Sequence, residues 1–98
     1  MRVVWAQHRA SILANVTLIE RAIAAVGTAQ LDDQLRNEAQ RSAHMLCGSL
    51  SMFGFTRASE AARELEQEFT QATQARASTL STLLAIVRRG LDTRTRSS

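Results

Sequence analysis

The sequence contains no lysine, no tyrosine and no proline, one cysteine, and only four aromatic residues: Trp5, Phe53, Phe55 and Phe69. Each scarcity removes a class of function. The lone Cys47 permits no internal disulfide, so nothing assigns the chain to an oxidising compartment. Four aromatics that are not interleaved with basic residues provide no platform on which nucleic-acid bases could stack. The sequence pI of about 11.0 sounds like that of a nucleic-acid binder. It follows mainly from having no lysine or tyrosine to titrate before arginine. The net charge is only +3, from twelve arginines against nine acids, which is a weak electrostatic footprint. Arg88, Arg89, Arg94 and Arg96 read as helix-end charges followed by a solvated tail. No apolar run approaches the roughly 18–20 residues needed to span a bilayer. The opening residues Met1 to His8 meet polar groups too early for a secretory signal. A cytoplasmic chain with no membrane or nucleic-acid partner is expected.

What remains is a helix former's composition. Alanine, leucine, glutamine, glutamate and arginine dominate the 98 residues, and strand-type alternation is missing. The length suits one small domain, 1–98. Ile12, Val16, Ile19, Ile23 and Val26 recur at heptad-like spacing and predict a first helix over Val3–Val26, with Gly27 as its C-terminal glycine. Val3, Val4 and Trp5 allow a separate short helical turn ahead of it, and an exposed turn there would leave dimerisation open, although a monomer is expected. A second helix starts near Asp32 or Asp33 and ends at Gly54, where glycine takes the left-handed conformation at little cost. Thr56 is read as the N-cap of a third helix, Arg57–Thr73, with Ala58, Ala61, Ala62, Leu65, Phe69 and Ala72 inward. The short link makes helices two and three an antiparallel hairpin, and the inward alanines allow close approach. The stretch from Gln74 to Ser78 is the weakest boundary. Ser78 is read as the cap of a fourth helix, Thr79–Arg89, with Leu80, Leu83, Leu84 and Val87 inward, Gly90 as its stop, and Leu91–Ser98 as a frayed tail. The fold class is all-α, an antiparallel four-helix bundle.

Most chemistry can be eliminated. Two histidines and one cysteine, with His8 and Cys47 on different predicted helices, do not form a zinc signature, and no Glu-x-x-His pair supports a di-iron site. Ser49 and Ser51 lack a defensible base and acid. No glycine-rich phosphate loop occurs. Glu64 and Glu68 read as a solvated face beside Arg63, His8 as a packing or surface residue, and Cys47 as a small helix residue without a strong reason for thiol activation.

His44 stands apart. At about 100° per residue, Leu35, Ala39, Ser42, Leu46, Leu50 and Phe53 fall within roughly 40° of one direction, and His44 points close to the opposite way. Around it on that outer face lie Asn37, Gln40, Arg41, Cys47, Gly48 and Ser51. Gly48, one turn away, costs about 1 kcal/mol relative to alanine in a helix interior. Such a glycine suits a face that something must approach closely. Arg41, one turn back, can attract an anion. Imidazole is a good nucleophile when neutral, and a rigid helix presenting it among small side chains suits phosphoryl transfer with another protein.

The residues Ala43-His44-Met45-Leu46-Cys47-Gly48-Ser49, then Gly54, then Ala61-Ala62-Arg63-Glu64-Leu65-Glu66 resemble a histidine-containing phosphotransfer (HPt) domain. The family pattern is His-x-Leu-Lys-Gly, a glycine at the helix end, and a second helix with small inner residues closing on Leu-Glu. His44, Leu46, Gly48, Gly54, Leu65 and Glu66 match it. The resemblance implies that His44 accepts a phosphoryl group from the aspartate of one receiver domain and donates it to another. The chain would be a phosphocarrier without turnover of its own. Its partners would be a response-regulator receiver domain or a hybrid histidine kinase, and the Mg²⁺ would belong to the partner receiver. Cys47 stands where the family often has lysine; Arg41 or Arg57 is the expected substitute cation. With Gly48, Gln40 and Ser51 these complete the expected docking set. The alternative is a helical module that binds a receiver or kinase without being phosphorylated.

Overall fold

The computed structural model describes residues 2–70 and 77–97, with side chains at 7–70 and 77–92. Four helices follow one another: α1 (Arg2–Gly27), α2 (Asp33–Met52), α3 (Thr56–Thr70) and α4 (Ala77–Ser97). At 1.5 Å per residue the 26 residues of α1 span about 39 Å, which matches the 40 Å long axis of the molecule. Sequential helices pack side by side, α4 closes back on α1, and the α2–α3 interface is the most extensive. This is the expected up-and-down bundle.

Its core is built from the predicted stripes. Ile12, Val16, Ile19, Ile23 and Val26 of α1 meet Ala39, Leu46 and Leu50 of α2, Ala58, Ala61, Ala62, Leu65 and Phe69 of α3, and Leu80, Leu83, Leu84 and Val87 of α4, all of them buried. His8 is a packing residue: its ring meets Phe53 edge-on, with centroids 5.5 Å apart. That contact sets the start of α1 beside the end of α2.

The helix ends depart from expectation in instructive ways. The backbone is one continuous helix from Arg2, so Val3, Val4 and Trp5 form no separate turn. Gly27 is still helical, and the left-handed residue is Ala29 at φ 57°. There the amide of Gln30 donates to the Ala25 carbonyl at 2.7 Å and that of Ala29 to Val26 at 3.1 Å, a Schellman turn closed on a non-glycine residue. The end of α2 repeats the pattern with the expected residue. Gly54 takes φ 84°, Phe55 donates to Leu50 at 2.9 Å and Gly54 to Ser51 at 3.1 Å. Asp32 caps α2 by accepting from the Leu35 amide at 2.7 Å.

Thr56 is the first residue of α3 rather than its cap, since the Ser59 amide already bonds the Phe55 carbonyl at 2.8 Å. The end expected for the third helix at Thr73, its inward Ala72 and the link from Gln74 lie among residues 71–76, outside the described residues. Ala77 and Ser78 are inside α4, so Ser78 is not a cap. Gly90 does not stop α4. The helix runs on through the expected tail to Ser97, and Leu91 joins the core. Gly90 serves packing: a Cβ there would lie 3.1 Å from the Cβ of Ala58, so its absence lets α3 and α4 touch.

The first helix departs from the expected absence of any membrane-length apolar run. Gln7–Gly27 is, by length and composition alone, long and apolar enough to cross a membrane, with mean hydropathy 1.4. In the bundle that stretch carries Glu20 and Arg21 outside and buries its heptad stripe against the other helices. Core helices of soluble bundles pass the same test.

Candidate functional site

The site is assembled on the flank where α2 meets α3. Ala43 and Leu46 bury themselves, and this fixes the rotation of α2 so that the intervening His44 side chain is 75% exposed. Its ring is not free to wander. Nδ1 lies 3.3 Å from Oε1 of Glu66 on α3, a carboxylate that is itself 36% exposed. With Nδ1 protonated the ring donates to the carboxylate, leaving Nε2 unprotonated.

Glu66 belongs to the matched Leu-Glu pair, yet its sequence position alone assigns it to an outer acidic face. The hairpin supplies the missing signal. In an antiparallel pair joined by a tight turn, residues equidistant from the turn face one another, and His44 and Glu66 are equally spaced about Phe55.

Three turns of α2 around the histidine are open. Gly48 is exposed, its backbone is ordinary helix, and an added Cβ would meet nothing within 4 Å. Neither backbone conformation nor packing inside the chain requires glycine here. Arg41 and Ser51 are exposed beside it, and Gln40 is half-buried. Two large apolar side chains also stand out on α2, Met45 at 50% and Met52 at 61% exposure, with Leu13 of α1 at 41%. On the helix wheel Met45 and Met52 leave α2 on the flank shared with Gly48 and Arg41, toward α1, whereas Leu13 lies on the α1 stripe of Glu20 and Ala24, which line the groove against α4. The histidine thus borders a surface that is small and polar on one side and apolar on the other. The wheel reading does not single out these three residues, because scattered exposed apolar residues are ordinary. On α2 the two methionines share one flank with Gly48, and that flank makes a surface.

Two of the expected site residues are placed elsewhere. Cys47 does not lie on the open face. It is half-buried and packs against the core, with Sγ 3.5 Å from Oγ of Ser59, which in turn donates to the Cys47 carbonyl at 3.0 Å. A side chain turned toward α3 satisfies its polar groups there; Ser59, 7% exposed, is the partner that the inward alanine pattern conceals. Arg57 does not reach His44 either. It sits nine residues before Glu66, about 13.5 Å farther along the hairpin axis at 1.5 Å per residue, and lines a cleft of about 220 Å³ with Ala58, Ile86, Arg89 and Gly90 on the α4 side. Among the described residues, no three His, Cys, Asp or Glu side chains gather as metal ligands would.

A helical hairpin that presents one tethered, exposed histidine beside an open glycine has a counterpart among known families. The model of the Hpt domain matches residues 4–93. This chain belongs to the Hpt domain family. No curated protein and no solved structure matches it significantly. The Hpt assignment makes the chain a phosphotransfer module of two-component signalling. Hpt domains are phosphocarriers that work with receiver domains and kinases, and the four-helix bundle is the architecture expected of one.

Proposed function

We propose that this Hpt domain carries a phosphoryl group on Nε2 of His44, accepting it from a receiver aspartate and passing it to another. The reading rests on one observation above the rest: the exposed His44 meets Glu66 through Nδ1, one helical turn from the open Gly48.

The step balances as follows. The Nε2 lone pair attacks phosphorus as the bond from phosphorus to the donor carboxylate oxygen breaks. The aspartate departs as a carboxylate and the ring gains positive charge while keeping its Nδ1 proton. Glu66, accepting that proton's hydrogen bond, holds the tautomer and opposes the developing charge. Reversal against a second receiver restores neutral imidazole. The donor and acceptor receivers supply Mg²⁺; this chain supplies nucleophile, orientation and a docking face, with no turnover of its own. Met45 and Met52 form the apolar part of that face, Gly48 lets the partner approach, and Arg41 and Ser51 form its polar edge. The domain acts in the cytoplasm, as a monomer with respect to itself, with a response-regulator receiver or a hybrid kinase as partner.

The test is transfer from a phosphorylated receiver in Mg²⁺. Wild type is expected to take up acid-labile label, and His44→Gln to take up none while its far-UV circular dichroism stays unchanged. Label persisting in the variant overturns the assignment. Binding of the receiver without any labelling of wild type would instead support a docking module that carries no phosphate.

A further inference from the structure

A phosphoryl group on Nε2 of His44 would bring a dianion to the groove that already holds the Glu66 carboxylate, across the ring from it, and like charges repel. Beyond the charge on the ring itself, a cation in the groove between α2 and α3 would offset that repulsion. A cysteine side chain offers no cation and Cys47 is turned to Ser59, and Arg57 lines the cleft toward α4. Arg41 lies on the far flank of His44, toward α1, as its position on the α2 wheel places it.

Two contacts define the α3 side of the groove: Ser59 to Cys47, and Glu66 to His44. Arg63 lies four residues after the first α3 residue and three before the second. Residues at these helical spacings are neighbours on one face, with Cβ atoms about 5–6 Å apart. Arg63 is therefore bracketed by the two contacts, at the level of α2 between His44 and Cys47. It is exposed, and among the described residues it forms no ion pair.

We propose that Arg63 binds the phosphoryl group carried by His44, closing over it from α3. Its planar fork can donate to a phosphoryl oxygen with one arm and to Glu66 with the other. The carboxylate that orients the imidazole is thereby prevented from repelling the phosphate. The cation that accompanies the phosphohistidine comes from the facing helix and not from the histidine's own.

This inference rests on phosphorylation of His44 and can fail separately from it. Phosphoramidate, a small donor that transfers its phosphoryl group to imidazole and releases ammonia, allows the test without a partner protein. The readouts are ³¹P labelling of His44 and the guanidinium Nε–H resonances, with that of Arg63 assigned by its loss in Arg63→Lys. On labelling, the Arg63 resonance is expected to shift more than that of Arg41. Transfer from a phosphorylated receiver is expected to fall about tenfold in Arg63→Gln, equivalent to about 1.4 kcal/mol, to recover partly in Arg63→Lys, and to change less in Arg41→Gln. Circular dichroism should be the same in all of them. Labelled wild type with an unmoved Arg63 resonance, or Arg63→Gln transferring like wild type, overturns the role of Arg63 and leaves the phosphocarrier reading standing. Wild type that takes label from neither phosphoramidate nor a receiver overturns both.

Discussion

The two flanks of this bundle hold their surface charges for different ends. Where α2 meets α3, the helices share their largest interface, and two polar contacts, His44–Glu66 and Cys47–Ser59, cross it. Where α1 meets α4, the interface among the described residues is the slightest of the four neighbouring pairs. There an open groove of about 340 Å³ runs over Ile23, Ala24, Leu84 and Ala85, bridged by an ion pair between Arg88 and Glu20. A side chain proposed as a nucleophile must be presented in one orientation, and that asks for a closely packed support. The seam remote from the histidine carries no such demand and is left loosely closed. The same contrast separates the two Schellman turns. The one beneath the functional hairpin has glycine at its left-handed position, whereas the one between α1 and α2 forces Ala29 into it.

Truncations in the core probe the contrast most strongly. Phe69→Ala, in the fully buried heart of α3, is expected to cost about 3–5 kcal/mol of unfolding free energy in urea. Leu84→Ala, at the floor of the open groove, should fall near the lower end of the roughly 2–5 kcal/mol found for leucine. Equal losses would mean that the α1–α4 seam is as tightly packed as the hairpin.

The glycines sharpen it further. Gly48→Ala meets open space and should raise stability by about 1 kcal/mol through helix propensity alone. Gly90→Ala gains the same propensity but pushes its Cβ to 3.1 Å from Ala58, so its stability should fall below that of Gly48→Ala by about 1 kcal/mol or more. If the two variants melt together, Gly90 is not what permits the α3–α4 contact.

Ala29→Gly should stabilise the α1–α2 turn by up to about 1 kcal/mol, because a left-handed non-glycine residue costs about 1–2 kcal/mol and glycine's extra unfolded-state freedom offsets part of the gain. A loss of stability would show that the alanine methyl makes a contact worth more than its strain.

The smallest stability effects belong to the two exposed charge pairs. Glu20→Gln and Glu66→Gln should each change unfolding free energy by less than about 1 kcal/mol. They should part in function: Glu66→Gln slows phosphoryl transfer to His44, and Glu20→Gln leaves it unchanged. Identical transfer rates would mean that the His44 contact is a surface pair like the other.

Much of this was legible in the residues themselves. The 3.6-residue recurrence of Ile12, Val16, Ile19, Ile23 and Val26, and of Leu65 and Phe69 with their alanines, determined the helices and their buried stripes, because burial of apolar surface is the dominant favourable term in folding. The same periodicity determined that His44 faces outward. Helix ends were less legible. A glycine in sequence can end a helix, as Gly54 does, or lie inside one to admit a neighbour, as Gly90 does, and local propensity does not distinguish the two.

The site divides along the same line. The exposed His44, the open glycine beside it and the neighbouring Arg41 and Ser51 follow from one helix and its rotation, which the apolar pattern of α2 alone determines. What surrounds the imidazole depends on how α3 is registered against α2. Only the tertiary structure brought Glu66 to Nδ1, turned Cys47 toward Ser59 and sent Arg57 toward α4. Local pattern sets which way a side chain leaves its own helix, while its partners are set by packing between residues far apart in the chain.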